Sequence, residues 1–223
     1  MILVGVEAGK NIKNAIILIN MGHKVIIIPG LGDQTNLLER FSKRWYKSAL
    51  SPVVHSFGWN DKNTDFTTKL NIMLRLIDDL KNDGHTVSLV GTSAGGSAVI
   101  NAYVSRKDMI HRVVTVCSRL RTGKSKGFRS FKNRTSSCDS FAESVRSSEE
   151  NISKLRKIDL HKIMTVSALF GDELVPRDTS SIDGARNIYV PTAEHMLSIG
   201  ASLSIFSGPL VSFINSNEDY SGD

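Results

Sequence analysis

Cysteine is scarce in this chain. Its 223 residues include two, Cys117 and Cys138, with no Cys-x-x-Cys spacing. That is too few for a disulfide framework in a chain this long, and both read as free thiols in a reducing compartment. Long hydrophobic runs are missing as well. No apolar stretch approaches the roughly 20 residues that a membrane-crossing helix needs. Residues 1–20 break their apolar runs with Glu7, Lys10 and Lys13. They lack the order of an export signal, which is positive charge, unbroken apolar core and small-residue cleavage site. A cytoplasmic location is the expectation. Residues 1–20 read as an N-terminal extension, with Met21 as an alternative start and 21–223 as one domain.

Acidic residues are absent from one segment. Between Arg119 and Cys138 lie Arg119, Arg121, Lys124, Lys126, Arg129, Lys132 and Arg134, with no Asp or Glu. The net charge of +6 is therefore local, and the remainder is near neutral. That differs from the spread positive charge of a nucleic-acid binder, and no nucleic-acid partner is expected. Hydrophobic residues at 40% and charged residues at 22% match ordinary globular usage and exclude wholesale disorder.

What is there alternates between two periods. The apolar, β-branched runs 24–28, 53–57, 86–90, 112–117, 162–170 and 187–191 read as strands. Between them, 36–50 and 64–83 carry apolar residues at helical spacing, the latter stopping at Gly84. Residues 196–214 read as a closing helix that Gly208-Pro209 would kink. Alternating strands and helices imply a mostly parallel sheet covered on both faces. The long segment 119–160 lies between two of those strands. It is expected to project as an excursion or small cap, basic at first and helical over roughly 139–157.

The chemistry centres on Gly91-Thr92-Ser93-Ala94-Gly95. Five residues of this kind match by accident often enough to mean little alone. Here they follow the strand TVSLV and open a helix, the setting of a nucleophile elbow. Such a turn is tight, and glycines leave room for chain and helix to pass on either side. Ser93 is the expected nucleophile, and the backbone N–H of Ala94 the expected oxyanion donor. No Gly-Lys-Ser/Thr follows, which rules out a phosphate-binding Walker loop.

A serine hydroxyl needs a base. Of the six histidines, His23, His85, His111 and His161 stand just before strands, at the far edge of the sheet. His55 reads as lying within a strand. His195 alone follows the last strand, which makes it the candidate base, with Glu194 beside it a weaker participant. The strand at 162–170 runs into Gly171-Asp172-Glu173. Asp172 is thus the candidate acid, and Glu173, Asp178 and Asp183 compete. The Gly-rich loop Pro29-Gly30-Leu31-Gly32-Asp33 follows the first strand. It could turn the N–H of Leu31, or of Gly32, into the site.

With PGLGD at 29–33, GTSAGG at 91–96, GDELVP at 171–176 and EHMLSIG at 194–200, the sequence resembles the α/β-hydrolase superfamily, in particular its small esterase and lipase-like members. The resemblance spans about residues 23–217. It implies metal-free and cofactor-free acyl transfer, with Ser93, Asp172 and His195 as triad and Leu31 and Ala94 as oxyanion donors. The expected substrate is a small ester. The alternatives are thioester or carbon–carbon bond hydrolysis on the same triad, or a non-catalytic binding module built on the basic loop. That loop, Arg119 to Arg134, reads mainly as solvated and mobile, with weak contact to an anionic surface kept open by Phe128 and Phe131.

Overall fold

The computed structural model describes residues 22–217. The expectations for residues 1–20 and for a start at Met21 lie outside that range. Six strands are described: β1 His23–Ile28, β2 Leu50–Val54, β3 Thr86–Thr92, β4 Ile110–Val116, β5 Ile163–Ala168 and β6 Arg186–Val190. They form one sheet in the order β2-β1-β3-β4-β5-β6, and every neighbouring pair is parallel. Parallel neighbours need a crossover, and helices supply it everywhere but between β5 and β6, which a loop with the 3-10 turn Arg177–Thr179 joins. The helices are α1 Thr35–Ser42, α2 Phe66–Asn82, α3 Gly95–Ser105, α4 Phe131–Thr135, α5 Asp139–Ser153, α6 Lys157–Leu160, α7 His195–Leu203 and α8 Gly208–Asn215.

Because side chains alternate across a strand, each strand feeds two cores. Ile26 and Ile28 of β1 pack with Met73 and Ile77 of α2 and with Val99 and Tyr103 of α3. Val25 and Ile27 face the opposite layer, which holds Leu38 of α1, Ile199 of α7 and Phe213 of α8. The chain leaves β1 in one direction for β2 and in the other for β3. The strand order therefore reverses beside β1, and the crevice outside the carboxyl ends of β1 and β3 is where an open parallel sheet binds ligands.

Two elements depart from the sequence reading. The helix expected over 36–50 ends at Ser42 and tightens into a 3-10 stretch over Lys43–Ser48. Ala49 then turns left-handed at φ 59°, and Leu50 begins β2. Trp45 drives the change, for its indole is buried and donates to the Leu203 carbonyl at 2.9 Å. In consequence β2 ends at Val54, and His55 lies just beyond the strand instead of within it. The closing helix is interrupted before Gly208-Pro209, in line with the sequence reading: it divides into α7 and α8, bent by 54°, with Pro209 in the first turn of α8, where its missing N–H costs nothing. No single helix among the described residues is long and apolar enough to cross a membrane.

The segment 119–160 divides in two. Its second half does not project. α5 lies in the helical layer against α3, burying Phe141, Val145 and Ile152. Between the two helices runs a polar seam, Ser97 Oγ to Ser144 Oγ at 2.8 Å and Asn101 Nδ2 to the Ser144 carbonyl at 2.9 Å. The basic first half sits over the carboxyl edge, held by its own arginines. Arg119 is buried, and its guanidinium donates to the carbonyls of Thr122 and Arg129. Arg121 reaches the Ser181 carbonyl.

Candidate active site

The turn after β3 is set by close approach on both sides. Ser93 has φ 52°, a left-handed backbone that costs a residue with a Cβ about 1 kcal/mol or more. Its N–H donates to the Val116 carbonyl at 3.0 Å, tying the strained turn to β4. A Cβ on Gly95 would lie 2.2 Å from the Ile28 carbonyl oxygen, and one on Gly91 would lie 2.4 Å from the Gly95 carbonyl oxygen. Glycine is therefore a steric requirement at both places.

The structure brings Ser93, His195 and Asp172 into one line. His195 Nε2 stands 2.9 Å from Ser93 Oγ, and His195 Nδ1 stands 2.7 Å from Asp172 Oδ2. The side chains of His195 and Asp172 are 3% and 8% exposed, so water barely competes for either bond. Asp172 Oδ1 accepts the N–H groups of Leu174 at 2.8 Å and Val175 at 2.9 Å, which fixes the carboxylate in its turn. The competing acids fall elsewhere. Asp178 and Asp183 are exposed, and Glu194 caps α7 by accepting from Met196 and Leu197. Glu173 takes a part that its sequence position did not reveal, for its Oε2 accepts the backbone N–H of His195 at 2.9 Å. Of the excluded histidines, His23 and His111 stand at the amino ends of β1 and β4 as expected, whereas His55 follows β2 instead of lying within it. His23 and His111 meet edge to face at 5.2 Å on the amino edge, far from Ser93.

No protein-family model matches the sequence, and no curated protein matches it. Solved structures do match. Est1E from Butyrivibrio proteoclasticus aligns at 16% identity over 87% of this chain and 88% of its own, with a TM-score of 0.62. The monoacylglycerol lipase of Paleococcus ferrophilus aligns at 14% over 87% of this chain and 96% of its own, with a TM-score of 0.60. The meta-cleavage product hydrolase of Pseudomonas fluorescens IP01 aligns at 15% over 88% and 92%, with a TM-score of 0.60.

The chain has the α/β-hydrolase fold.

Within the α/β-hydrolase fold of this chain, the loop after β1 lies directly against the serine. A Cβ on Gly30 would stand 2.8 Å from Ser93 Cβ. The loop is pinned from below. Asp33 accepts the N–H groups of Phe57 at 3.0 Å and Trp59 at 2.9 Å, and the Trp59 indole donates to the Pro29 carbonyl at 3.0 Å. Asp33 and Trp59 are thus supports of the site that carried no sequence signal beyond their proximity to glycines. Among the described residues, neither the Leu31 nor the Ala94 backbone N–H donates to a protein acceptor.

Ser93 and His195 open into a cavity of about 310 Å³ walled by Leu31, Leu37, Leu38, Phe41 and Ile199, with Arg134 at its side. That volume is at the lower end for small-molecule sites. A second cavity of about 190 Å³ lies behind Asp172 and includes Cys117, Ser167 and Ser180. Burial, and then the nearby Asp172 carboxylate, push the Cys117 thiol well above the usual range and keep it protonated. Cys117 and Cys138 are both free, as expected. Among the described residues no three His, Cys, Asp or Glu side chains come together as a metal site requires.

Proposed function

We propose that the protein is a serine hydrolase acting on small carboxylic esters, with Ser93 as nucleophile, His195 as base and Asp172 as its orienting acid. The carrying observation is the buried line from Ser93 Oγ through the imidazole to Asp172, with contacts of 2.9 and 2.7 Å.

The chemistry follows from that line. His195 Nε2 takes the Ser93 hydroxyl proton as Oγ bonds to the ester carbonyl carbon. The carbonyl oxygen becomes an oxyanion, held by the free N–H groups of Leu31 and Ala94. Each such donor is worth about 3 kcal/mol where one has been removed from other hydrolases. Collapse breaks the bond to the alcohol oxygen, which leaves with the proton from His195. Water, deprotonated by the same nitrogen, then cleaves the acyl-enzyme and restores Ser93. Asp172 accepts the hydrogen bond from Nδ1–H throughout and stabilises the imidazolium without itself being protonated.

The apolar, compact cavity favours esters of short acyl groups. Labelling with a fluorophosphonate probe tests the assignment. Wild type should label and Ser93→Ala should not; a folded wild type that stays unlabelled rejects it. Product analysis with matched oxygen esters, thioesters and vinylogous diketones separates ester cleavage from the other reactions this fold hosts.

A further inference from the structure

We propose that the Ser93 cavity takes esters bearing a carboxylate a few bonds from the scissile carbonyl, and that Arg134, with Arg119 behind it, binds that carboxylate. The inference rests on the serine-hydrolase reading above and adds a substrate class to it.

Arg134 lines the cavity at Ser93 and also a narrower recess that opens from it. Ser93, Leu31 and Leu174 are common to both spaces, and Arg119 lines the recess. Two guanidinium-bearing residues thus flank the reacting serine in a wall that is otherwise mostly apolar. Neither has a carboxylate within ion-pair distance among the described residues. Arg119 is 1% exposed, and a cation so placed without a counter-ion is costly. Its two hydrogen bonds run to neutral carbonyls, those of Thr122 and Arg129. Arg134 lies over the Phe128 ring at 5.0 Å, and its guanidinium donates to no protein acceptor among the described residues. Burial and the charge of Arg134 both weaken the hold of Arg119 on its proton, with Asp178 acting against them. An anion between the two arginines would relieve that repulsion. A guanidinium with a free edge matches a carboxylate in a planar, bidentate pair, which fixes orientation as well as charge.

A purely structural role is the competing account. Arg119 would then only clamp the loop and Arg134 only cover Phe128, and substrate charge would not matter. The deciding experiment compares kcat/KM for nitrophenyl hexanoate with that for the mono-nitrophenyl ester of adipate, which has the same carbon count and adds one carboxylate. Wild type should prefer the hemiester by about tenfold or more, the range of a charge-assisted hydrogen bond. Arg134→Gln should lose most of that preference, and Arg134→Lys should keep part of it. Equal preference in wild type and Arg134→Gln, or a wild type that favours hexanoate, overturns the proposal. Should Arg134→Gln fail to fold, Arg134→Lys and the wild-type ratio decide. A wild type that labels with fluorophosphonate and turns over hexanoate without favouring the hemiester defeats only this inference. A folded wild type that does not label defeats the hydrolase reading itself.

Discussion

Glu173 Oε2 accepts the backbone N–H of His195 at 2.9 Å, so two adjacent acids grip one histidine at different atoms. Asp172 takes the imidazole Nδ1, and Glu173 fixes the main chain from which the imidazole hangs. The two should separate kinetically. Asp172→Asn leaves a neutral amide at Nδ1 and allows the wrong tautomer, and kcat should fall about 10⁴-fold, as in other triads. Glu173→Ala loses one hydrogen bond to a backbone donor, worth about 1 kcal/mol. Its kcat should fall up to about tenfold, with Glu173→Gln recovering most of the loss. Turnover of a short nitrophenyl ester measures both. A loss in Glu173→Ala as large as that in Asp172→Asn would mean that Glu173 does more than position.

Gly30 and Gly95 both press on the elbow, yet their alanine variants should fail in different ways. At Gly95 the new Cβ meets backbone, 2.2 Å from the Ile28 carbonyl oxygen and 2.8 Å from that of Pro29. β1 cannot yield without disturbing the sheet. Overpacking of this kind costs about 3 kcal/mol, which in a domain of this size lowers Tm by roughly 6–12 °C. At Gly30 the new Cβ meets the Ser93 side chain, 2.8 Å from its Cβ and 3.2 Å from its Oγ. The serine can shift, so Gly30→Ala should keep most of its Tm. It should nonetheless lose about 100-fold in kcat, the scale of a misplaced reacting group. Melting curves and steady-state rates on the two variants together check the split.

Much of this arrangement was legible beforehand because it depends on local order. A strand, a small-residue turn and a helix around Ser93 can be read from consecutive residues. So can Asp172 after one strand and His195 after the last, since chain order and sheet edge are local properties. What escaped depends on contacts between distant segments. The apolar run Leu37, Leu38, Phe41 and Trp45 reads as a helix that continues to Leu50, but the α-helix ends at Ser42 and the Trp45 indole is buried against Leu203. Arg119 and Arg134 read as solvated loop charges until the fold buries one and sets the other beside Ser93. Asp33 supports the loop after β1 only because Phe57 and Trp59 return to it.

Acid should destabilise the fold at the amino edge of the sheet. Burial, and then the neighbouring His111, push His23 down to about 4. His111 is lowered too, by burial first and then by Arg112, with Lys162 adding to it and the carbonyls of Ser216 and Ile214 opposing. The folded value lies below the unfolded one near 6.5, so between pH about 4 and 6.5 the unfolded chain binds more protons. Stability from this pair is full above pH about 6.5 and falls as the pH drops toward 4. The urea midpoint should therefore decrease between pH 7 and 4.5. The decrease should be smaller in His23→Gln/His111→Gln, in which neither ring remains to take up a proton. An identical pH slope in the double variant would remove the histidine pair as its cause.

Two substitutions at Ser93 that both remove Oγ should differ in stability. The backbone there stands at φ 52°, where alanine keeps the Cβ clash of the left-handed region and glycine does not. Glycine also gains freedom in the unfolded chain, which offsets part of the relief. The balance favours glycine at a truly left-handed position by about 1 kcal/mol. Neither variant should label with a fluorophosphonate. Ser93→Gly should melt roughly 2–4 °C above Ser93→Ala. A higher Tm for the alanine variant would place the strain elsewhere than at the elbow. It would also remove the reason for tying Ser93 to β4 through its N–H bond to Val116.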